Sequence, residues 1–244
     1  MDAIVPAAGE GTRLRPVTEE KPKGLVEVDG EPILTHAFRD LLAVGADKLV
    51  VVVGYRCGQI VEHYGESFAG VPVEYVVQHE RKGIGHALDA AADHVDDAFV
   101  MYLGDNVFDS PPRRAVEAFR GNDAEVVFPV EEVPPEAADK YAVCDVRDGD
   151  TRGQPAEVVD VREKPDDPPS NLVMTGFMVA SPVFFDVCAA LEPSDRGEYE
   201  LGDAVRNTID RGHTVRALPL VGERRNVNTQ ADVEVAESLL ADGT

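Results

Sequence analysis

The residues with the clearest chemical potential lie at the start of the chain, in a glycine-rich loop. It follows a short apolar strand and reads Ala7-Ala8-Gly9-Glu10-Gly11-Thr12-Arg13. Small residues and glycines let the backbone approach an anion closely, and a run of amide hydrogens in such a loop attracts negative charge. Arg13 adds a planar fork that matches phosphate oxygens, and Lys23 adds a point charge downstream. The predicted phosphate-contacting residues are Ala7, Ala8, Gly9, Gly11, Thr12, Arg13 and Lys23.

A glycine-rich turn between a strand and a helix is also common without any ligand. The loop has neither the GxxxxGK spacing followed by Ser or Thr nor the GxGxxG spacing of dinucleotide-binding proteins. An NAD-dependent dehydrogenase is therefore disfavoured.

A second candidate site is the Gly104-Asp105-Asn106 turn, which follows the apolar run 99–103. Mg²⁺ is commonly held by one or two carboxylates together with substrate phosphates, so a single well-placed Asp105 is enough to bind it. An Asx turn at the end of a strand is the structural alternative. The presence of the glycine-rich loop in the same chain favours the metal role.

Strands and helices alternate in the first part of the chain, which predicts an α/β fold with a mostly parallel, Rossmann-like sheet flanked by helices. The Val-rich run 48–53 is typical of a strand buried on both faces. Ligands of such sheets bind beyond the carboxyl ends of the strands, where both candidate sites lie. The predicted helices and strands of this part are strands at 3–5, 48–53, 73–77 and 98–103 and helices at 33–44, 58–64 and 85–94.

The second part of the chain is less regular. The sequence predicts a hairpin-like turn over 149–153, and its other predicted elements are strands at 125–130, 142–146, 158–162, 173–179 and 214–220 and helices at 183–191, 201–211 and 230–240. A boundary is expected near 109–113. We expect one domain over 1–244, made of two halves, 1–110 and 111–244.

Composition restricts the classes of partner. The chain has 244 residues and a formal net charge of −23, so neither nucleic acid nor an anionic membrane is an expected partner. Only six of the 23 basic residues are lysines, and acidic residues are spread along the chain. This composition resembles the surface of a halophilic protein, although an ordinary acidic protein can share it. High salt would screen the self-repulsion of such a surface.

The three cysteines are far apart and show neither a disulfide pattern nor zinc-ligand spacing. They fit a reducing cytoplasm. The first predicted strand begins almost at the N-terminus, and no apolar run is long enough to cross a membrane. A cytoplasmic protein is therefore expected, and a homo-oligomer is compatible with the sequence.

The AAGxGTRL segment, the KPKGLV segment after it and their place at the first strand resemble the signature of sugar-1-phosphate nucleotidylyltransferases. The resemblance extends from residue 3 to about residue 240. It implies a GT-A-like fold with a sugar-binding subregion, in which 1–110 is the nucleotide-binding half and 111–244 the sugar-binding half. It also implies Mg²⁺-assisted transfer of a nucleotidyl group from UTP or dTTP to a sugar 1-phosphate, with release of pyrophosphate. The whole sequence is most similar to archaeal glucose-1-phosphate uridylyltransferases of protein N-glycosylation.

The resemblance also implies roles for individual residues. Catalysis would involve Arg13, Lys23, Asp105 and Lys164. Nucleotide contacts would come from the glycine-rich loop together with Gln78, Gly83 and Gly104, where Gln78 and Gly83 address the base. Sugar contacts would come from Tyr141, Glu163, Lys164, Thr175 and Gly176. The metal ligands would be Asp105 and Asn228.

Two departures from the family pattern leave alternatives open. The Trp-x-Asp-x-Gly segment expected near the end of the chain reads Arg225-Asn226-Val227-Asn228-Thr229, so an amide replaces the second carboxylate. This resembles N-acetylglucosamine-1-phosphate uridylyltransferases; Asn228 could also be only a helix cap. A catalytically weak nucleotide-binding regulator is a further alternative. The second departure is Ala142, which stands where the family has glycine.

Overall fold

The computed structural model describes residues 1–147 and 154–242, so the turn predicted over 149–153 lies outside the described residues. Strands are numbered along the chain as β1 (Asp2–Pro6), β2 (Glu27–Val28), β3 (Glu31–Pro32), β4 (Lys48–Val53), β5 (Ser67–Phe68), β6 (Val71–Val77), β7 (Phe99–Tyr102), β8 (Asn106–Phe108), β9 (Val126–Glu132), β10 (Ala142–Val146), β11 (Ala156–Glu163), β12 (Leu172–Met174), β13 (Phe177–Ala180), β14 (Val215–Pro219) and β15 (Arg224–Asn226).

Helices are numbered in the same way. They are α1 (Val17–Glu20), α2 (Ile33–Ala43), α3 (Cys57–Tyr64), α4 (Ile84–Ala91), α5 (Arg113–Arg120), α6 (Val183–Ala189), α7 (Leu201–Asp210) and α8 (Gln230–Asp242). Short 3-10 helices occur at Thr12–Leu14, Lys23–Leu25, Ala92–His94 and Pro135–Lys140.

The chain forms two compact units, each assembled from separate segments. Of the described residues, the first unit contains 1–81, 100–112 and 221–242, and the second contains 82–99, 113–147 and 154–220. The carboxyl-terminal segment therefore belongs to the same unit as the glycine-rich loop, although the sequence separates them by some 200 residues.

The sheet of the first unit has the strand order β7-β1-β4-β6-β5. Strand β1 pairs in parallel with β4, and β4 pairs in parallel with β6. The five residues from Leu49 to Val53 are fully buried, as the Val-rich run predicted. Two further pairs lie in this unit: the β2–β3 hairpin and the antiparallel pair of β8 with β15. The α/β class and the parallel order expected for this part of the chain are confirmed.

The second unit has the strand order β12-β10-β11-β14-β9-β13, with an additional pairing of β12 to β9. Here the expectation of a mostly parallel sheet does not hold, because only β14 and β9 run parallel among the pairings of the described residues. Strands that follow one another through short connections pair antiparallel, whereas parallel pairing needs a longer crossover.

The strand predicted over 173–179 is interrupted. It forms β12 and β13, with Thr175 and Gly176 between them. Gly176 has a φ of +81°, a conformation that glycine adopts without strain and that does not continue a strand. The other predicted helices and strands match observed ones to within a few residues at each end. The short strands β8 and β15 were not predicted, because three residues carry too little pattern.

All three cysteines are free thiols. Burial raises the pKa of Cys188 to about 12, so this residue remains a thiol at neutral pH. Among the described residues, no helix has the length and apolar composition needed to cross a membrane.

Candidate active site

The loop between β1 and α1, residues Ala7–Arg13, which we call the phosphate loop, is shaped by close backbone contacts. The Ala7 amide donates to the Val52 carbonyl oxygen at 2.8 Å, which extends the pairing of β1 with β4. Gly11 has a φ of +63°, and its carbonyl oxygen accepts a hydrogen bond from Thr18 Oγ1 at 2.7 Å. A Cβ built on Gly11 would lie 3.0 Å from Lys23 Cβ. The glycine thus allows the loop to pass directly over Lys23.

We expect Gly11→Ala to reduce activity more than its effect on stability explains. The left-handed conformation costs a non-glycine residue about 1–3 kcal/mol, and the added methyl group presses on Lys23 and Thr18. Gly30→Ala is the matched control, since Gly30 has a φ of +75° but open space around its Cβ position. Gly11→Ala should lose at least as much thermal stability as Gly30→Ala, and only Gly11→Ala should lose turnover. Equal turnover in the two variants would contradict this account of the loop.

Four of the predicted residues form one polar cluster in the first unit. Lys23 Nζ lies 2.6 Å from Asp105 Oδ2 and 2.9 Å from Asn228 Oδ1. Arg13 donates to the same Asn228 oxygen at 2.8 Å. Only 11% of the Lys23 side chain is exposed, against 28% of the Asp105 side chain. We call Arg13, Lys23, Asp105 and Asn228 the charged cluster.

The short pair of β8 and β15 brings this cluster together. Asn226 lies opposite Asn106 in the register of the two strands, and the Val227 amide donates to the Asp105 carbonyl oxygen at 2.8 Å. Val107 and Val227 are fully buried in a core that also includes Leu14, Ile33 and Ala236. Apolar packing beneath these segments therefore fixes the polar residues above them. The Gly104 amide donates to the Pro6 carbonyl oxygen at 3.1 Å, which holds the Asp105 turn beside the end of β1.

The helix-cap alternative for Asn228 is not supported by its side-chain contacts. The start of α8 is capped by Thr229 together with Asp232, whose Oδ2 accepts from the backbone amides of Asn228 at 2.9 Å and Thr229 at 2.7 Å. Thr229 Oγ1 in turn accepts from the Asp232 amide at 3.3 Å, the reciprocal arrangement of a capping box. The Asn228 side chain is left to contact Arg13, Lys23 and Asn226.

The donor set of the charged cluster fits a hard divalent cation. Asp105 Oδ2 and Asn228 Oδ1 both lie within 2.9 Å of the Lys23 ammonium, so two oxygens already converge on one positive charge. The residues that the structure describes contain no group of three or more His, Cys, Asp and Glu able to hold a metal. One carboxylate and one amide oxygen match the way Mg²⁺ is held jointly by protein and phosphate ligands.

Gln78 and Gly83, expected to address the base, lie in different units. In the first unit, Gln78 follows β6 and is 5% exposed. Its backbone amide donates to the Val53 carbonyl oxygen at 2.8 Å. An ion pair of 2.6 Å between Glu10 and Arg81 also lies in this unit. In the second unit, Gly83 has a φ of +92° and packs against the backbone of Tyr199. No side chain fits there, because a Cβ on Gly83 would lie 2.7 Å from the Tyr199 carbonyl oxygen.

The residues expected to contact the sugar lie in the second unit. The Lys164 amide donates to the Tyr141 carbonyl oxygen at 2.9 Å, so Tyr141 and the end of β11 are neighbours. Thr175 is fully buried and donates through Oγ1 to the Pro129 carbonyl oxygen at 3.0 Å. Lys164 has a φ of +44°, a conformation that costs a lysine about 1–3 kcal/mol. The surrounding structure therefore holds this residue in a strained conformation beside Glu163.

Glu163 is the more deeply buried of the two charged residues in this set. Its side chain is 11% exposed, and its Oε2 accepts from the Gly202 amide at 3.3 Å. Lys164 Nζ lies 3.3 Å from Oε1. Burial raises the pKa of Glu163 above its ordinary value; Lys164 opposes this rise and the nearby Glu200 adds to it. A Cβ on Gly202 would lie 2.7 Å from Glu163 Oε2, so a side chain at this position would displace the carboxylate.

The sequence did not indicate several residues that complete the two sites. Asn106, Asn226 and Arg224 contribute side-chain contacts close to Asp105 and Asn228. Arg196 pairs with Glu200 at 2.9 Å and lies 3.8 Å from Glu163 Oε1. Asn106 could have been noticed as the neighbour of Asp105. Arg224 could not, because 118 residues separate it from Asn106.

Comparisons with known proteins identify the family of the chain. The nucleotidyl transferase family model matches residues 2–224. A UTP–glucose-1-phosphate uridylyltransferase of Haloferax volcanii, AglF, is 46% identical over 244 residues, covering 100% of this chain and 98% of the relative. A glucose-1-phosphate thymidylyltransferase of Streptomyces griseus is 32% identical, covering 100% of this chain and 67% of the relative.

A solved structure of UDP-glucose pyrophosphorylase complexed with UDP-glucose has the same fold. It superimposes with a TM-score of 0.90 at 23% identity and covers 100% of both chains. A second, from Acinetobacter baumannii, gives a TM-score of 0.79 at 23% identity, covering 97% of this chain and 91% of the other. The family model spans most of the chain, and two relatives that match the whole chain exceed 30% identity. The chain therefore belongs to the nucleotidyl transferase family.

Proposed function

We propose that this protein transfers the uridylyl group of UTP to glucose 1-phosphate, forming UDP-glucose and pyrophosphate. The observation that carries the proposal is the charged cluster: two cations, one carboxylate and one amide oxygen meet in the unit that contains the phosphate loop. The 46% identity with the Haloferax volcanii uridylyltransferase supports the choice of nucleotide and sugar.

In this reaction a phosphate oxygen of the sugar 1-phosphate attacks the α-phosphorus of UTP. A new P–O bond forms as the bond to the β-phosphate oxygen breaks, and pyrophosphate leaves with the electron pair. The attacking oxygen is already ionised at neutral pH, so no general base is needed. The protein must instead hold the two anions in line and neutralise the charge that develops.

The residues of the first unit suit the nucleotide. Backbone amides of the phosphate loop and the exposed guanidinium of Arg13 would bind the β- and γ-phosphates, and Lys23 would contact the reacting phosphate. Asp105 and Asn228 would hold Mg²⁺, which supplies Lewis-acid stabilisation of phosphoryl oxygens when bound. Gln78 would bind the base, since its amide offers both a donor and an acceptor to the imide edge shared by uracil and thymine.

The residues of the second unit suit the sugar 1-phosphate. Glu163 would accept hydrogen bonds from sugar hydroxyls, and Lys164 would contact the phosphate. Tyr141, Thr175, Gly176 and the Gly83 backbone would complete the nucleotide and sugar contacts of this unit. We therefore assign nucleotide binding chiefly to the first unit and sugar binding to the second.

A matrix of pyrophosphate release tests the proposal. UTP, dTTP, ATP and GTP are each combined with glucose, N-acetylglucosamine and mannose 1-phosphates in the presence of Mg²⁺. The highest kcat/KM is expected for UTP with glucose 1-phosphate. The preference over dTTP should be modest, because a 5-methyl group in an apolar pocket is worth about 1–3 kcal/mol. No release from any combination would contradict the proposal.

N-acetylglucosamine 1-phosphate is the second candidate substrate, favoured by the amide at position 228 and tested by the same matrix. A nucleotide-binding regulator would instead bind UTP saturably without releasing pyrophosphate. The presence of Arg13, Lys23 and Asp105 in one cluster supports an enzyme over a regulator.

We further propose a cytoplasmic protein adapted to high salt. With a net charge of −23, the folded chain repels itself at low ionic strength, and the Debye length falls to about 3 Å at 1 M salt. We therefore expect the melting temperature to rise steeply between about 0.1 M and 2 M KCl. A melting temperature that is independent of KCl concentration would contradict this expectation.

A further inference from the structure

A buried polar chain lies behind the candidate metal ligand Asp105. Asn106 is completely buried and Arg224 is 5% exposed. Arg224 donates through a terminal nitrogen to Asn106 Oδ1 at 3.0 Å, and Asn106 Nδ2 donates to Asp105 Oδ1 at 3.2 Å. All three residues belong to the β8–β15 region of the first unit.

The guanidinium determines which way the Asn106 amide faces. Arginine has donors and no acceptor, so the atom of Asn106 that faces Arg224 must be the oxygen. The amide nitrogen is then directed at Asp105 Oδ1. With Oδ1 engaged, the other carboxylate oxygen, Oδ2, is the one presented to the charged cluster, where it contacts Lys23 at 2.6 Å.

A similar contact orients the second candidate ligand. Asn228 Nδ2 donates to Asn226 Oδ1 at 2.7 Å, so the Asn228 oxygen is the atom that faces Arg13 and Lys23. Asn226 and Asn106 are partners in the β8–β15 register. The same two-stranded element therefore supports both oxygens of the candidate metal site.

We propose that Arg224 and Asn106 are positioning residues of the metal site: Arg224 fixes the Asn106 amide, and Asn106 fixes the Asp105 carboxylate with Oδ2 towards the cation. This inference rests on the proposed function, in which Asp105 and Asn228 share a divalent cation with the nucleotide. A site with one carboxylate depends heavily on the orientation of that carboxylate. Loss of such outer contacts typically costs 10–100-fold in metal affinity.

A purely structural role is the competing explanation. A buried arginine needs an acceptor whatever lies nearby, and removal of one partner destabilises the fold. The two explanations differ in what the variants do to metal binding. A structural role predicts lower thermal stability with unchanged metal binding, whereas a positioning role predicts weaker metal binding as well.

The experiment measures UTP affinity by calorimetry, with and without Mn²⁺ and without any sugar phosphate. The Mn²⁺ ratio is the dissociation constant of UTP without Mn²⁺ divided by that with Mn²⁺. It reports how strongly the protein binds the nucleotide-bound metal, because the coupling between metal and nucleotide is reciprocal. In Asn106→Leu and Arg224→Met, we expect this ratio to fall by about 10-fold or more. UTP affinity without metal should stay within about twofold of the unmodified protein.

Two further variants separate positioning from folding. Arg224→Lys keeps a donor to Asn106, so its Mn²⁺ ratio should be close to that of the unmodified protein. The double variant Asn106→Leu/Arg224→Met removes both partners, so it leaves no unmatched buried charge if a single variant fails to fold. Its Mn²⁺ ratio should be no lower than that of Asn106→Leu alone, because Arg224 acts through Asn106.

Tyr64→Phe is the matched control, since it removes a buried hydrogen bond of 2.9 Å to Thr35 elsewhere in the same unit. It should lower the melting temperature and leave the ratio unchanged. Asn106 variants that keep the full Mn²⁺ effect would overturn the positioning role and leave the proposed function intact. If Mn²⁺ does not tighten UTP binding by the unmodified protein, the proposed metal role itself fails and the inference fails with it.

Discussion

Asp105→Asn should lower kcat for pyrophosphate release by at least about 10²- to 10³-fold while the protein remains folded. The substitution keeps the size of the side chain but removes the single carboxylate of the charged cluster. Lys23 then loses its 2.6 Å ion pair, and the metal site keeps only neutral amide oxygens. Removal of one preorganised electrostatic contact in an active site typically has an effect of this size.

Asp109→Asn is the matched control for this variant. Asp109 lies four residues further along, in the same unit, and its Oδ2 accepts from the Glu223 amide at 2.9 Å. The chemical change is identical but falls outside the charged cluster, so kcat should stay within about twofold of the unmodified enzyme. Circular dichroism and melting curves should show both variants folded. Near-normal turnover by Asp105→Asn would exclude the metal role of Asp105.

The second large effect is expected for Glu163→Gln, which should weaken sugar 1-phosphate binding while stabilising the fold at neutral pH. The Glu163 carboxylate is buried, and an isosteric amide removes the cost of burying its charge. It also removes a charged acceptor for sugar hydroxyls, so KM for glucose 1-phosphate should rise about 10-fold or more, since hydrogen bonds to charged groups contribute about 1.5–3 kcal/mol.

The stability gain should depend on pH in a defined direction. The pKa of Glu163 is raised in the folded protein, so the folded state binds this proton more tightly than the unfolded state does. Ionisation therefore destabilises the fold once the pH exceeds the ordinary Glu pKa of 4.5, which holds in the unfolded chain, and fully so above the raised folded pKa. The stability difference between Glu163→Gln and the unmodified protein should be largest at neutral pH and vanish below about pH 4.5.

Glu157→Gln, in the same strand β11, is a control for which we expect a stability change in the opposite direction at neutral pH. Hydrogen bonds from Arg147 lower the pKa of the exposed Glu157, so loss of its charge should slightly destabilise the protein at neutral pH. Denaturant unfolding between pH 4 and pH 8 distinguishes the two variants. A stability difference between Glu163→Gln and the unmodified protein that stays constant from pH 4 to pH 8 would contradict the assignment of a buried charge to Glu163.

Much of the fold follows from local pattern. The run Leu49 to Val53 and the helical spacing of 33–44 are strong signals, because each repeats an apolar preference over several residues. Short elements were missed: β8 and β15 have three residues each and were not predicted. The single strand predicted over 173–179 was wrong, because Gly176 interrupts it. Pairing direction in the second unit could not be read from the sequence, since it depends on which distant strands meet.

Arg13, Lys23 and Asp105 were named from the sequence because their chemical types are informative, whereas Asn228 followed only from the family resemblance. Glycines beside an arginine indicate an anion site, and an aspartate after a buried strand indicates a cation site. Their partners were not found. Gly202 leaves space for Glu163 through a contact that no spacing indicates. Thr229 and Asp232 take the capping role that Asn228 could have had, and their spacing is that of a capping box.

The sequence by itself determined the family, the α/β class and the identity of the residues that carry charge to the site. Only the tertiary structure decided which oxygen of each side chain faces the site. That choice depends on donors such as Arg224 and Asn226, which reach the site through the β8–β15 pair. Side-chain orientation is set by contacts between segments far apart in the chain, and such contacts exist only once the core beneath them has packed.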